Sequence, residues 1–174
     1  MSNRNDVVGR TGAVADFRSI AKVSVGQIIG LVEAVDEVGG TADAATISQE
    51  VDMDLDHLGP ILDAAELLGL VTVADGDIRI TDLSRKLLSA NLRERKTILR
   101  DITGRLPEFR LILDTARQAG RPLGRQEILD VIAARVGSHQ AEDLFKALVY
   151  WGRYVELLRY DSESEQLTLR APTK

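Results

Sequence analysis

The chain has 174 residues, 44% of them hydrophobic and 28% charged, with a formal net charge of −5 and no cysteine. That length suits one ordinary domain or two small modules sharing a core, and the missing cysteine excludes disulfides, thiolate metal sites and cysteine nucleophiles. Aromatic residues, at 4%, are too sparse to line a nucleic-acid stacking surface.

Residues 1–19 have weak periodicity and carry Gly9 and Gly12, so a flexible arm is expected there. No run approaches the roughly 18 apolar residues of a spanning helix, and the first ten residues, MSNRNDVVGR, lack the apolar core of a signal peptide. A soluble cytoplasmic protein without direct membrane insertion is the expectation. Gln27, Ile28, Leu31, Val32, Val35 and Val38 recur at helical spacing, and Gly39-Gly40 stops that helix. Gly26 and Gly30 are expected as helix-packing positions. Thr41 or Asp43 caps a short second helix whose Ala44, Ile47 and Val51 point inward. A third helix starts near Leu58 or Gly59 with Pro60 early in it, buries Leu58, Ile61, Leu62, Ala65, Leu68 and Leu70, and ends at Gly69. Val71, Val73, Ile78 and Ile80 alternate around Asp75-Gly76, a hairpin pattern.

Thr81 caps a helix from Asp82 to Leu88. Leu92, Ile98, Leu99 and Ile102 continue the helical period, with Gly104 and Pro107 marking a break before a helix that ends near Gly120-Arg121-Pro122. A second, shorter cycle follows. It comprises a helix from Ile128 to Val136, a turn with Ser138 as cap, a helix from Ala141 to Trp151, and strands at 155–160 and 166–169. Its first helix is missing unless residues 109–118 supply it. The expected fold is mainly α with small β-hairpins, as tandem winged-helix-like modules at 20–90 and 121–170 joined by a helical connector at 91–120.

Charge is segregated along this plan. Residues 20–90 carry thirteen acids against Lys22, Arg79, Arg85 and Lys86, whereas residues 91–125 carry nine Arg or Lys against four acids. The connector cluster Arg93, Arg95 and Lys96 is therefore a candidate docking patch, by complementarity within the chain or between two chains. In a DNA-binding module the helix after the turn enters the major groove beside phosphate. Here its approach holds Asp52, Asp54 and Asp56, which argues against duplex DNA as partner. The three aspartates lack the glycine and glutamate of a calcium loop and instead suit the positive end of a helix. His57 and His139 are too far apart for a zinc-helix motif. No phosphate-binding GxxxxGK[ST] loop occurs, and no triad or acid/base pair is spaced for catalysis, so neither catalysis nor a cofactor is expected. Trp151, Gly152, Arg153 and Tyr154 form the most distinctive stretch. Trp151 and Tyr154 can bury large faces, Gly152 suits a helix end, and Arg153 can meet a carboxylate of the acidic half, so Trp151, Arg153 and Tyr154 join the docking candidates.

The stretches GLVE at 30–33, GPILDAAELLG at 59–69, GDIRIT at 76–81, RERK at 93–96 and WGRYVEL at 151–157, closed by Tyr160-Asp161, resemble the carboxy-terminal AAA-associated domain. That domain is found behind the ATPase module of nitrate-, sulfonate- and taurine-type ABC importers. Over residues 22–170 the motifs share its order and compatible spacing. The resemblance implies a non-catalytic accessory or regulatory domain in anion or organosulfur import, with an ABC transporter ATPase or permease as protein partner. It also implies a location peripheral to the inner membrane. The ATPase module is expected to be absent, leaving a stand-alone relative or a separately encoded piece. A homodimer is expected from the opposite charge of the two halves. The competing reading is a winged-helix transcriptional regulator.

Overall fold

The computed structural model describes residues 20–172; the arm expected at residues 1–19 lies outside the described residues. Helix α1 (Val25–Glu37) starts in a capping box: the Gln27 N–H donates to Ser24 Oγ while Gln27 Oε1 accepts the Ser24 N–H. Its buried stripe is Val25, Ile28, Leu31, Val32 and Val35. Gly39 and Gly40, at φ of +105° and +87°, end it, with the Gly40 N–H returning to the Val35 carbonyl at 2.8 Å. Gly26 and Gly30 are not packing positions: both are exposed, and a Cβ on Gly30 would meet nothing within 4 Å. They fall on the solvent side of a helix whose apolar stripe lies elsewhere.

Strand β1 (Thr41–Asp43) leads into α2 (Ala44–Glu50). Asp43 caps α2 by accepting the Thr46 N–H at 2.7 Å, and Thr41 sits in the strand. Helix α3 (Leu55–Leu67) begins earlier than its apolar residues suggest, because Asp54 accepts the His57 N–H at 2.9 Å and so opens a further turn. Pro60 consequently lies inside the helix, at an exposed position. Strands β2 (Val71–Ala74) and β3 (Asp77–Ile80) join through Asp75 and Gly76, both at positive φ as a two-residue hairpin turn requires. The hairpin is completed by β1, giving an antiparallel sheet of order β1-β3-β2 with Thr41 opposite Arg79.

Helix α4 (Asp82–Ser89) is capped by Thr81. Helices α5 (Leu92–Gly104) and α6 (Pro107–Ala119) are separated at the expected break, with Pro107 opening α6. Strand β4 (Leu123–Gly124), α7 (Arg125–Val136), α8 (Ser138–Tyr154), β5 (Leu158–Asp161) and β6 (Gln166–Leu169) follow. The second sheet has the order β4-β6-β5. Helix–strand–helix–helix–hairpin thus occurs twice, with α6 as first helix of the second set and in contact with β6 and α8.

Three local expectations change in this half. Gly137, not Ser138, occupies the N-cap of α8, with no side-chain cap bond, and Ser138 is the first helical residue. Helix α8 continues through Tyr154, and the strand begins at Leu158 rather than Val155. Gly152 therefore sits within the helix. A Cβ there would come within 2.5 Å of the Leu158 side chain, so its need is for space rather than for a turn.

The described residues are mainly helical, with small antiparallel sheets. One contiguous apolar cluster runs from Ile20 and α1 through Leu99, Phe109 and Ile112 to Trp151 and Leu167. Among the described residues no helix is long and apolar enough to cross a membrane.

Candidate interaction site at the α5–α8 corner

Helix α5 is fixed at its start by a second capping box, Asn91 with Glu94. It buries Leu99, Ile102 and Thr103, which leaves its cations at the edges of that stripe. Arg95 turns toward the first half: Nη2 donates to the Leu88 carbonyl at 3.0 Å and Nη1 lies 3.8 Å from Glu33. Lys96 and Arg100 turn the other way. Lys96 Nζ is 3.1 Å from Glu156 Oε1, while Arg100 donates through Nη1 to the Glu156 carbonyl and through Nη2 to the Arg170 carbonyl at 2.7 Å. Arg170 adds a third cation, 3.7 Å from the same Glu156 oxygen. Helix α5 is thus pinned to both halves, through Arg95 to the acidic one and through Lys96 and Arg100 to the turn after α8.

Glu156 is the unusual member. It follows α8 at φ +63°, a conformation that costs a non-glycine residue roughly 1–3 kcal/mol. Its N–H bonds back to the Arg153 carbonyl at 3.2 Å, and the Leu157 N–H to the Gly152 carbonyl at 2.8 Å, a helix ending usually built on glycine. The Lys96 hydrogen bond, aided by the charges of Lys96, Arg170 and Arg100, outweighs desolvation and holds the Glu156 carboxyl below its ordinary range.

A cavity of about 490 Å³ opens at this corner, lined among others by Leu92, Arg93, Lys96, Arg100, Val155 and Glu156. Leu92, which continues the helical period of Ile98, Leu99 and Ile102 in the sequence, is 81% exposed; as the first helical residue it precedes the turn that packs. Arg93 is exposed and makes no ion pair among the described residues. The structure therefore brings Arg93 and Lys96 together with Val155 and Glu156, the continuation of the Trp151 stretch. Trp151 itself is fully buried, and its Nε1 donates to the Val23 carbonyl at 2.7 Å. Arg153 does not meet a carboxylate: with α8 extended, it projects to solvent away from Trp151 and forms no ion pair among the described residues. Tyr154 is 41% exposed and its ring lies 6.4 Å from that of Tyr150.

On the acidic side, Asp54 and His57 pair at 2.7 Å beside a second cavity of about 460 Å³ that also borders Asp52 and Asp56. The His57 backbone N–H, followed by its side chain, holds the Asp54 carboxyl below its usual range. Among the described residues no group of three or more His, Asp or Glu side chains is gathered to hold a metal ion. Glu156, Arg100, Arg170 and Glu33 were not singled out in the sequence. Long-range ion pairs leave no spacing signal, and a glutamate at positive φ leaves none either.

No curated protein and no solved structure matched the chain. The family description of the C-terminal AAA-associated domain matches residues 45–161, from within α2 to the end of β5. That span takes in the β2–β3 hairpin, the α5 cations, the Glu156 turn and β5, and on it the chain belongs to the C-terminal AAA-associated domain family.

Proposed function

We propose that this chain is a non-catalytic regulatory protein-interaction domain that associates with the ATPase of an ABC-type importer of anions or organosulfur compounds, and that it works as a homodimer. Its repeated element order and sheet order are read as tandem winged-helix-like modules, the second beginning at α6, with α4 and α5 between them. The observation that carries the reading is the α5–α8 corner. Lys96, Arg100 and Arg170 are used to hold the Glu156 turn, while Arg153, Tyr154 and Tyr150 remain outward on α8, available to a protein partner. Tyrosine and arginine are the residues that most often anchor such contacts. Family membership directs the choice of partner toward an AAA or ABC ATPase.

Co-purification from native cells, with the partners identified, tests this: recovery of a transporter ATPase that is lost with Arg153→Glu and Tyr154→Ala supports it. Repeated recovery without any transporter component overturns it.

A second reading, a winged-helix DNA-binding regulator, is favoured by the element order alone. No Lys or Arg occurs between Lys22 and Arg79, so α3 has nothing with which to neutralise phosphate. Anisotropy titration against duplex fragments at low and high salt decides between them, and saturable, sequence-specific binding would favour the regulator.

A further inference from the structure

Two leucines among the described residues are largely exposed, and their surroundings have opposite charge. Leu92, 81% exposed, opens α5 beside Arg93 and Lys96. Leu55, 54% exposed, opens α3 between Asp54 and Asp56. Folding leaves both side chains in water, where each costs free energy in proportion to its apolar area. Helix α5 also presents a receptor for such a knob. Cavities of about 480 and 490 Å³ flank Arg93 and Thr97, the first bordered by Lys86 and Ile98, the second by Leu92 and Val155.

Resting on the self-association proposed above, we infer that the groove on α5 around Leu92 and Arg93 receives the Asp54-Leu55-Asp56 turn of a second copy of this chain. A two-fold axis makes the contact reciprocal, so that each chain gives one acidic turn and accepts one. Apolar contact comes from the leucines, and orientation comes from charge. Arg93 carries no internal ion pair to break, and Asp56, beside the cap rather than in it, is likewise unpaired among the described residues. The acidic half and the basic segment, which meet within the chain at Arg95 and Glu33, would thereby be matched between chains as well.

The test is mass by light scattering across a concentration series on the full chain, with Arg93→Glu, Asp56→Arg, the double variant and Leu92→Ser. The parent is expected at twice 19.0 kDa. Each single charge reversal sets like charges face to face and raises the dissociation constant at least about tenfold, and the double variant restores much of the loss. Leu92→Ser, at a position folding barely buries, weakens the dimer, while its unfolding midpoint matches the parent's at a concentration low enough for both to be monomeric. A parent at 19.0 kDa at every concentration overturns both self-association and this pairing. A dimer indifferent to Leu92→Ser and to the charge reversals, or a double variant no tighter than the singles, overturns the pairing alone. Masses that grow beyond two chains overturn the two-fold closure.

Discussion

The indole N–H of Trp151 donates to the carbonyl of Val23 at 2.7 Å across 128 residues of sequence, joining the long helix of the second half to the turn that leads into the first helix. Val23 precedes the capping residue Ser24 of α1, so the bond fixes where that helix begins. Trp151→Ala removes a fully buried side chain and is expected to cost about 3–5 kcal/mol. Trp151→Phe keeps most of the packing but strands the Val23 carbonyl, at about 1–3 kcal/mol. Chemical unfolding followed by circular dichroism measures both; a Trp151→Phe protein as stable as the parent would show that the hydrogen bond matters little, and equal losses for the two variants would show that the lost volume matters little.

Gly152 and Leu158 make a second contact between α8 and the strand after it. A Cβ on Gly152 would lie 2.5 Å from Leu158 Cγ and Cδ2, and α8 and β5 are both held in the core, so neither yields freely. Gly152→Ala should cost about 1–3 kcal/mol by overpacking, and Leu158→Ala about 2–5 kcal/mol by leaving a cavity. Because the new methyl fills part of that cavity, the double variant is expected to be more stable than the two losses added. Strict additivity would mean that the alanine methyl is accommodated by movement elsewhere.

Ser84 is a buried hydroxyl in α4 that donates to the Leu70 carbonyl, an oxygen that also accepts the Thr81 N–H at 3.1 Å. Ser84→Ala leaves that carbonyl with the N–H and, at 3.3 Å, the hydroxyl of Thr81, and should cost only about 0.5–1.5 kcal/mol. Ser84→Leu would crowd the same space and cost more. The order of the two unfolding midpoints is the measurement, and an alanine variant as damaged as the leucine one would refute it.

Helix positions were legible where apolar periodicity and a punctuating residue agree, as in α1, where Val35 is followed by Gly39-Gly40, and α6, where Pro107 opens the helix. Failures fall where one of the two is missing. Helix α8 runs past Trp151 because its ending is built on Glu156, whereas the equivalent endings of α1 and α3 use Gly39 and Gly69. Helix α3 starts at Leu55, an exposed residue that adds nothing to the apolar stripe, because Asp54 supplies the cap. Strands β1 and β4 span three and two residues, too short for alternation to register, and owe their pairing to β3 and β6. At the candidate site, Arg93 and Lys96 were visible as part of a charge run. Their convergence on Val155 and Glu156, and the exposure of Arg153, depend on where α8 ends.

Arg121 and Glu127 provide the clearest pH dependence. The guanidinium binds the carboxylate through both forks, at 2.7 and 3.0 Å, and the Gly124 N–H adds a bond at 2.9 Å that starts α7. The Arg121 hydrogen bonds first, then that of Gly124, hold the Glu127 carboxyl down to about 2 from an ordinary 4.5. A carboxyl with a lowered folded-state value stabilises the fold fully above its unfolded value. Its contribution therefore declines as pH falls from about 4.5 and is gone below about 2. Both side chains are exposed, so added salt should weaken the effect. In Arg121→Gln the Glu127 carboxyl is expected to titrate closer to 4.5 without reaching it, because the Gly124 N–H remains. The parent's stability advantage over this variant should be largest near neutral pH and vanish in strong acid. Side-chain carboxyl titration by NMR, paired with unfolding at several pH values, checks both statements. A Glu127 midpoint unmoved by Arg121→Gln would assign the shift to the helix start alone.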